Sequence, residues 1–201
     1  MKRLLLATLL VFASSLSHAS FQIGQVFIGH CNGTVDVYDP TSGALMQTLN
    51  AALPGQDSTY VCTYGMTFDG AGNVYVTTAD PYIKAVVKFD NNGNQLGTFG
   101  SGYTEVGGIL HDQAGNFYVG QFTGPILKFS PTGILLDSYT PAHDSTGAWP
   151  GETDIALAAD QKTCCTVHGG AKSRATTLQP RLRVQTILTS ATTLTLEPLH
   201  L

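Results

Sequence analysis

The sequence predicts an all-β fold, and three observations support this prediction. Glycine makes up 22 of the 201 residues, which is typical of a chain with many tight turns. The aromatic residues are mostly Tyr and Phe, and they lie in short runs rich in Val and Ile. Most informative, the segment 65–100 repeats as 108–139. A repeat of about 40 residues built from short strands predicts the blades of a β-propeller.

Each copy of the repeat divides into four strands. In 65–100 we predict them at 65–69, 73–78, 85–90 and 95–99. The turns DGAGN, DQAGN and DNNGN begin with Asp and place Gly where a positive φ is needed. Strand alternation predicts that four large aromatic residues form the core between blades: Tyr75, Phe89, Tyr118 and Phe129.

Two further copies flank this pair. The segment 25–50 is a partial copy in which Phe27 takes the place of Tyr75, so it begins at the second strand of a blade. A fourth copy begins at 154–163. We therefore predict an incomplete propeller of about three four-stranded blades and the start of a fourth. A closed ring would take its missing strand from the C-terminus. An open stack exposes an apolar blade face and predicts self-association through the open blade edge.

The motifs GMTFDGAGNVYVT and AVVKFDNNGNQLGTFG resemble NHL repeats, and the copy at 25–50 also resembles the related YVTN-type blade. The resemblance covers about 22–162. It implies a β-propeller fold. Because NHL-like propellers serve as binding scaffolds, lyases and lactonases, the resemblance leaves the function open.

The N-terminus has the pattern of a secretory signal peptide over residues 1–19. Lys2 and Arg3 precede an apolar run, 4–12, and the small-residue site 17–19 follows. The run is too short to span a bilayer, so we expect an exported protein, periplasmic or extracellular, with no membrane span after cleavage. A net charge of −4 and the lack of a basic stripe exclude a nucleic-acid partner.

The blades are predicted over 20–162, and the segment 163–201 departs from the repeat. All 18 aromatic residues lie at or before Trp149, and the tail holds nine Thr and a single acid, Glu197. Reading the codons in a shifted frame permits Leu-Leu-Tyr-Ser after Lys162, which would suit a blade strand. We hypothesise a frameshift near codon 163 and expect a weakly ordered, atypical tail. The rival interpretation is a genuine Thr-rich tail.

The four cysteines fall into two groups. Cys31 lies in the first hairpin and Cys62 just before the next copy, so they could pair across neighbouring blades in an exported chain. The alternative is two free or buried thiols. The second group, Cys164 and Cys165 with His168, lacks a second ligand pair at zinc-site spacing, and we predict no metal there.

The loops that lead into the innermost strands form the mouth where propellers bind ligands. Here they are 50–64, 100–107 and 140–154. Glu105 and Glu152 lie three or four residues before the first strands of their copies. The same loops also carry Asp57, His143, Asp144 and Asp154. Such groups could hold Ca²⁺ or Mg²⁺, and the alternative is that they are solvated loop residues.

Our leading hypothesis is an exported recognition or scaffold module without a cofactor. It would bind a small ligand, a glycan or a protein at its mouth, without catalysis. The alternative is a metal-assisted hydrolase or lyase of lactonase type that uses Glu105 and Glu152. A third hypothesis is a truncated product with no function.

Overall fold

The computed structural model describes residues 20–57, 59–122, 124–140 and 155–161, and the backbone of 152–154, 163–168, 173–177 and 185–187. Every regular element in these ranges is a β-strand. No helix in them is long and apolar enough to cross a membrane. The predicted signal peptide lies outside the described residues.

The described strands form antiparallel sheets in chain order. The first sheet contains β1 (Val26–Gly29), β2 (Thr34–Tyr38) and β3 (Leu45–Asn50). The second contains β4 (Cys62–Phe68), β5 (Val74–Ala79), β6 (Lys84–Phe89) and β7 (Gln95–Phe99). The third contains β8 (Ile109–His111), β9 (Phe117–Val119), β10 (Ile126–Phe129) and β11 (Leu135–Tyr139). The fourth contains β12 (Glu152–Leu157), β13 (Thr163–His168), β14 (Ser173–Thr177) and β15 (Gln185–Ile187). This architecture is an incomplete β-propeller, as predicted.

The first sheet has three strands, and their pairing shows which strand of a four-stranded blade is missing from it. The last two strands shift register at the same point in each of the first three sheets: Val37/Tyr38, Lys88/Phe89 and Lys128/Phe129. Hence β2 corresponds to β6 and β10, and β1 corresponds to β5 and β9. The sheet begins at the second strand of a blade, as the alignment of Phe27 with Tyr75 predicts.

The repeated motif D-x-x-x-N-x-Y is a hydrogen-bonded unit. Asp69 Oδ1 accepts hydrogen bonds from the N–H groups of Ala71 and Asn73, both at 2.9 Å. Its Oδ2 accepts from Asn73 Nδ2 at 2.7 Å and from the Tyr75 hydroxyl at 3.1 Å. Burial opposes ionisation of Asp69, but these hydrogen bonds outweigh it and lower the pKa. The third sheet repeats the unit with Asp112, Asn116 and Tyr118.

The core lies between neighbouring sheets, where the four predicted aromatic residues are buried. Tyr75 packs between the second and third sheets, with its ring centroid 4.3 Å from that of Phe117. The Lys88 ammonium lies 5.1 Å from the Tyr75 ring centroid, and Lys128 repeats this contact over Tyr118. The motif therefore stabilises both the turn and the core. The Tyr hydroxyl donates to the turn aspartate, and the Tyr ring packs between two sheets.

The outward face of the first sheet, turned away from the second sheet, is more polar than its equivalents. Asp36 in β2 corresponds to Val87 and Leu127, which are buried between sheets. The Asp36 carboxylate accepts hydrogen bonds from the Thr48 hydroxyl at 2.6 Å and the Tyr38 hydroxyl at 3.3 Å. His30 Nε2 lies 3.1 Å from Asp36 Oδ2. The hydrogen bond from Thr48 is the main cause of the lowered pKa of Asp36.

The tail contributes backbone to the fourth sheet. β13 pairs with β12, with Cys164 opposite Leu157 and Cys165 opposite Ala156. A second strand thus lies where the fourth copy of the repeat requires one. The side chains of Cys164, Cys165 and His168 lie outside the described part of the chain. The absence of a metal there, the frameshift and the weak order of the tail stay predictions.

Candidate functional site

A cleft of about 330 Å³ opens at the end of the second and third sheets where loops enter their first strands. Adjacent strands of a sheet are antiparallel, so the loop after each second strand leaves at this same end. The cleft is therefore formed by both kinds of loop. Its lining residues are Tyr60, Tyr64, Ala79, Asp80, Pro81, Lys84, Glu105 and Phe122.

Three aromatic side chains, Tyr60, Tyr64 and Phe122, line the cleft, and together we call them the aromatic wall. Tyr60 is 62% exposed and Tyr64 is 45% exposed. The Tyr64 and Phe122 rings meet edge to face, with centroids 5.1 Å apart and planes at 75°. Burial raises the pKa of Tyr64, and the charge of Glu105 raises it further. Glu105 therefore acts electrostatically on the aromatic wall.

Asp80 fixes the loop between β5 and β6. Its carboxylate accepts hydrogen bonds from the N–H groups of Tyr82, Ile83 and Asp57. Burial opposes its ionisation, but these bonds and the charge of Lys84 lower its pKa. The Lys84 ammonium donates to the carbonyl oxygen of Pro81 at 2.6 Å. One carboxylate thus joins two loops of the cleft and gives it a preformed shape.

The candidate acids differ in their position. Glu105 lines the cleft. The Asp57 carboxylate accepts the N–H of Thr59 at 2.9 Å and so caps its own turn. β12 begins at Glu152, so Glu152 and Asp154 lie within that strand rather than in the loop before it. The side chains of both, and all of His143 and Asp144, lie outside the described residues.

On their own, the described carboxylates do not make up a Ca²⁺ or Mg²⁺ site. Asp57 and Asp80 are engaged by backbone N–H groups, which leaves Glu105 as the candidate acid at the cleft. Within the part of the chain that the structure describes, no three His, Cys, Asp or Glu side chains are grouped to hold a metal ion.

Cys31 and Cys62 are joined by a disulfide in the structure. It connects the turn between β1 and β2 to the first residue of β4. The bond therefore ties the first sheet to the second near the loop that carries Tyr60. It closes a loop with a sequence separation of 31.

Sequence reasoning missed most of the cleft. It placed the mouth at the loops that lead into first strands and did not include the loops after second strands, which supply Pro81 and Phe122. The signal was present in the predicted strand order, because antiparallel strands return every second loop to the same end.

These sheets and this cleft define an incomplete β-propeller with a concave, aromatic-lined site at its loop end. No family model matches the chain, and no curated protein matches it. Solved structures match the fold. A protein of unknown function from Bacteroides caccae is similar with a TM-score of 0.58 and 16% identity, over 80% of this chain and 56% of that one. A gluconolactonase from Xanthomonas campestris has a TM-score of 0.49 and 19% identity, over 68% of this chain and 41% of that one. The chain thus spans about half the length of these proteins, and the likeness to the Bacteroides protein shows the fold alone.

Proposed function

We propose that the chain is an exported recognition module that binds a small organic ligand in the cleft between the second and third sheets. The observation that carries this proposal is the aromatic wall, where Tyr60 and Tyr64 are exposed inside a concave site. Exposed apolar side chains in a cleft with a few polar groups are typical of a ligand site. Export is supported by the N-terminal pattern and by the disulfide between Cys31 and Cys62.

A ligand panel measured by saturation-transfer NMR on the full chain tests this function. We expect saturable binding of at least one small ligand, and Tyr64→Ala should weaken it about tenfold, as expected when about 1.4 kcal/mol of ring contact is removed. Tyr82→Ala is the matched control, because Tyr82 is 80% exposed and lies outside the cleft lining. No binding from a panel of sugars, amines and aromatic acids, or equal losses in both variants, would contradict the proposal.

The second candidate is a metal-assisted hydrolase or lyase. It is favoured by Glu105, a carboxylate in the cleft lining that takes part in none of the described side-chain hydrogen bonds. Hydrolysis of a sugar lactone with added Ca²⁺ or Mg²⁺, abolished by Glu105→Gln, would favour this function over the first. Under the recognition function, lactone turnover stays at the rate without protein.

A further inference from the structure

We propose that the cleft selects a cationic ligand, with an ammonium group held against the aromatic wall and Glu105 as its counter-charge. This inference rests on the proposed function of the cleft as a ligand site. It adds the chemical class of the ligand, which is an organic amine or quaternary ammonium compound.

The first argument is the charge of the cleft. Its lining carries two carboxylates, Asp80 and Glu105, against one ammonium, Lys84. The positive charge of Lys84 acts on Asp80, and Lys84 also donates to the Pro81 carbonyl. The lining therefore has a net charge of −1, and Glu105 is the carboxylate in it that takes part in none of the described side-chain hydrogen bonds. A ligand that fills the cleft removes water from this carboxylate, and a positive group on the ligand compensates for that loss.

The second argument is the angle between the rings. A sugar packs its flat face on a single aromatic surface, but the Tyr64 and Phe122 planes stand at 75° to each other. Rings at steep angles suit a compact, rounded cation, which can contact an aromatic face from one direction and the Glu105 carboxylate from another. Aromatic cages of this kind recognise quaternary ammonium groups through the negative faces of their rings.

The third argument is that Glu105 and the aromatic wall line the same cleft. The charge of Glu105 raises the pKa of the Tyr64 hydroxyl, so the carboxylate and the ring share one electrostatic environment. A cation placed at the wall is attracted by both groups at once. A neutral ligand of the same shape gains the ring contacts but not the charge interaction.

Isothermal titration of the full chain with choline and with its uncharged isostere, in which carbon replaces the quaternary nitrogen, tests the inference. We expect choline to bind about tenfold or more tightly than the isostere. Glu105→Gln should remove most of this preference, and Tyr64→Ala should weaken choline about tenfold. Tyr82→Ala should change neither affinity, and circular dichroism checks that every variant is folded.

The outcomes separate this inference from the function on which it rests. Equal affinities for choline and its isostere overturn the cationic class and leave the recognition function standing. Binding of methyl glucoside without binding of choline has the same meaning. If choline, the isostere and the glycoside all fail to bind, together with the wider panel, both the inference and the proposed function are overturned.

Discussion

Replacing Asp69 with alanine is expected to lower the free energy of unfolding by about 2–4 kcal/mol. Asp69 accepts four hydrogen bonds, two from turn N–H groups and two from side chains. Tyr75 is 1% exposed, so its hydroxyl would lose its acceptor where water has little access. A buried donor without a partner costs about 1–3 kcal/mol, and loss of the turn acceptor adds about 1 kcal/mol.

Urea unfolding followed by circular dichroism measures this cost, and Tyr75→Phe completes a double-mutant cycle. Tyr75→Phe alone should cost about 1 kcal/mol, because Asp69 keeps three other donors. The double variant should cost clearly less than the two single costs together, since it leaves no unpaired hydroxyl. The reasoning is refuted if Asp69→Ala lies within about 0.5 kcal/mol of the parent chain, or if the costs simply add.

Three other predictions concern stability. Replacing Cys31 and Cys62 with serine should cost about 3–4 kcal/mol in urea unfolding, because the disulfide closes a loop with a separation of 31; equal midpoints with and without reductant would contradict this. Gly65→Ala should cost about 3 kcal/mol, since its Cβ would lie 2.7 Å from the backbone nitrogen of Ile109, whereas the control Gly70→Ala meets nothing within 4 Å and should be near neutral. The turn aspartates have pKa values below the usual 3.8, so their stabilisation is complete above that value and is lost as the pH falls through their lower folded values. The free energy of unfolding should therefore be clearly lower at about pH 3 than at about pH 6. Equal values would show that folding does not lower the pKa values of these carboxylates.

The sheets could be predicted because the repeat encodes local chemistry. Asp69, Asn73 and Tyr75 lie within seven residues, and they form their hydrogen bonds within one hairpin. Such short-range bonds depend little on the rest of the fold. The order of the strands and the buried positions of Tyr75 and Tyr118 therefore follow from the sequence spacing, whereas β4 begins at Cys62, three residues earlier than predicted.

The cleft could be predicted only in part because its geometry depends on how two sheets meet. Tyr64 and Phe122 lie 58 positions apart, yet their rings are in contact. Nothing in the sequence of either segment fixes the angle between those rings. Glu105 was identified from its loop, but the engagement of Asp57 and Asp80 by backbone N–H groups required coordinates.

The carboxylate of Asp36 makes the outward face of the first sheet chemically different from the equivalent faces of the second and third sheets. At the equivalent positions, Val87 and Leu127 are buried against the preceding sheet. The same apolar contact would suit any two copies of the repeat. In the first sheet, Asp36 replaces this apolar side chain with a carboxylate that accepts hydrogen bonds from Thr48 and Tyr38. A further identical sheet placed against this face would have to bury an ionised group on an aliphatic surface. At this position Asp36 therefore opposes the sheet-by-sheet association that a wholly apolar face would invite, while Val26 and Ile28 on the same face stay exposed.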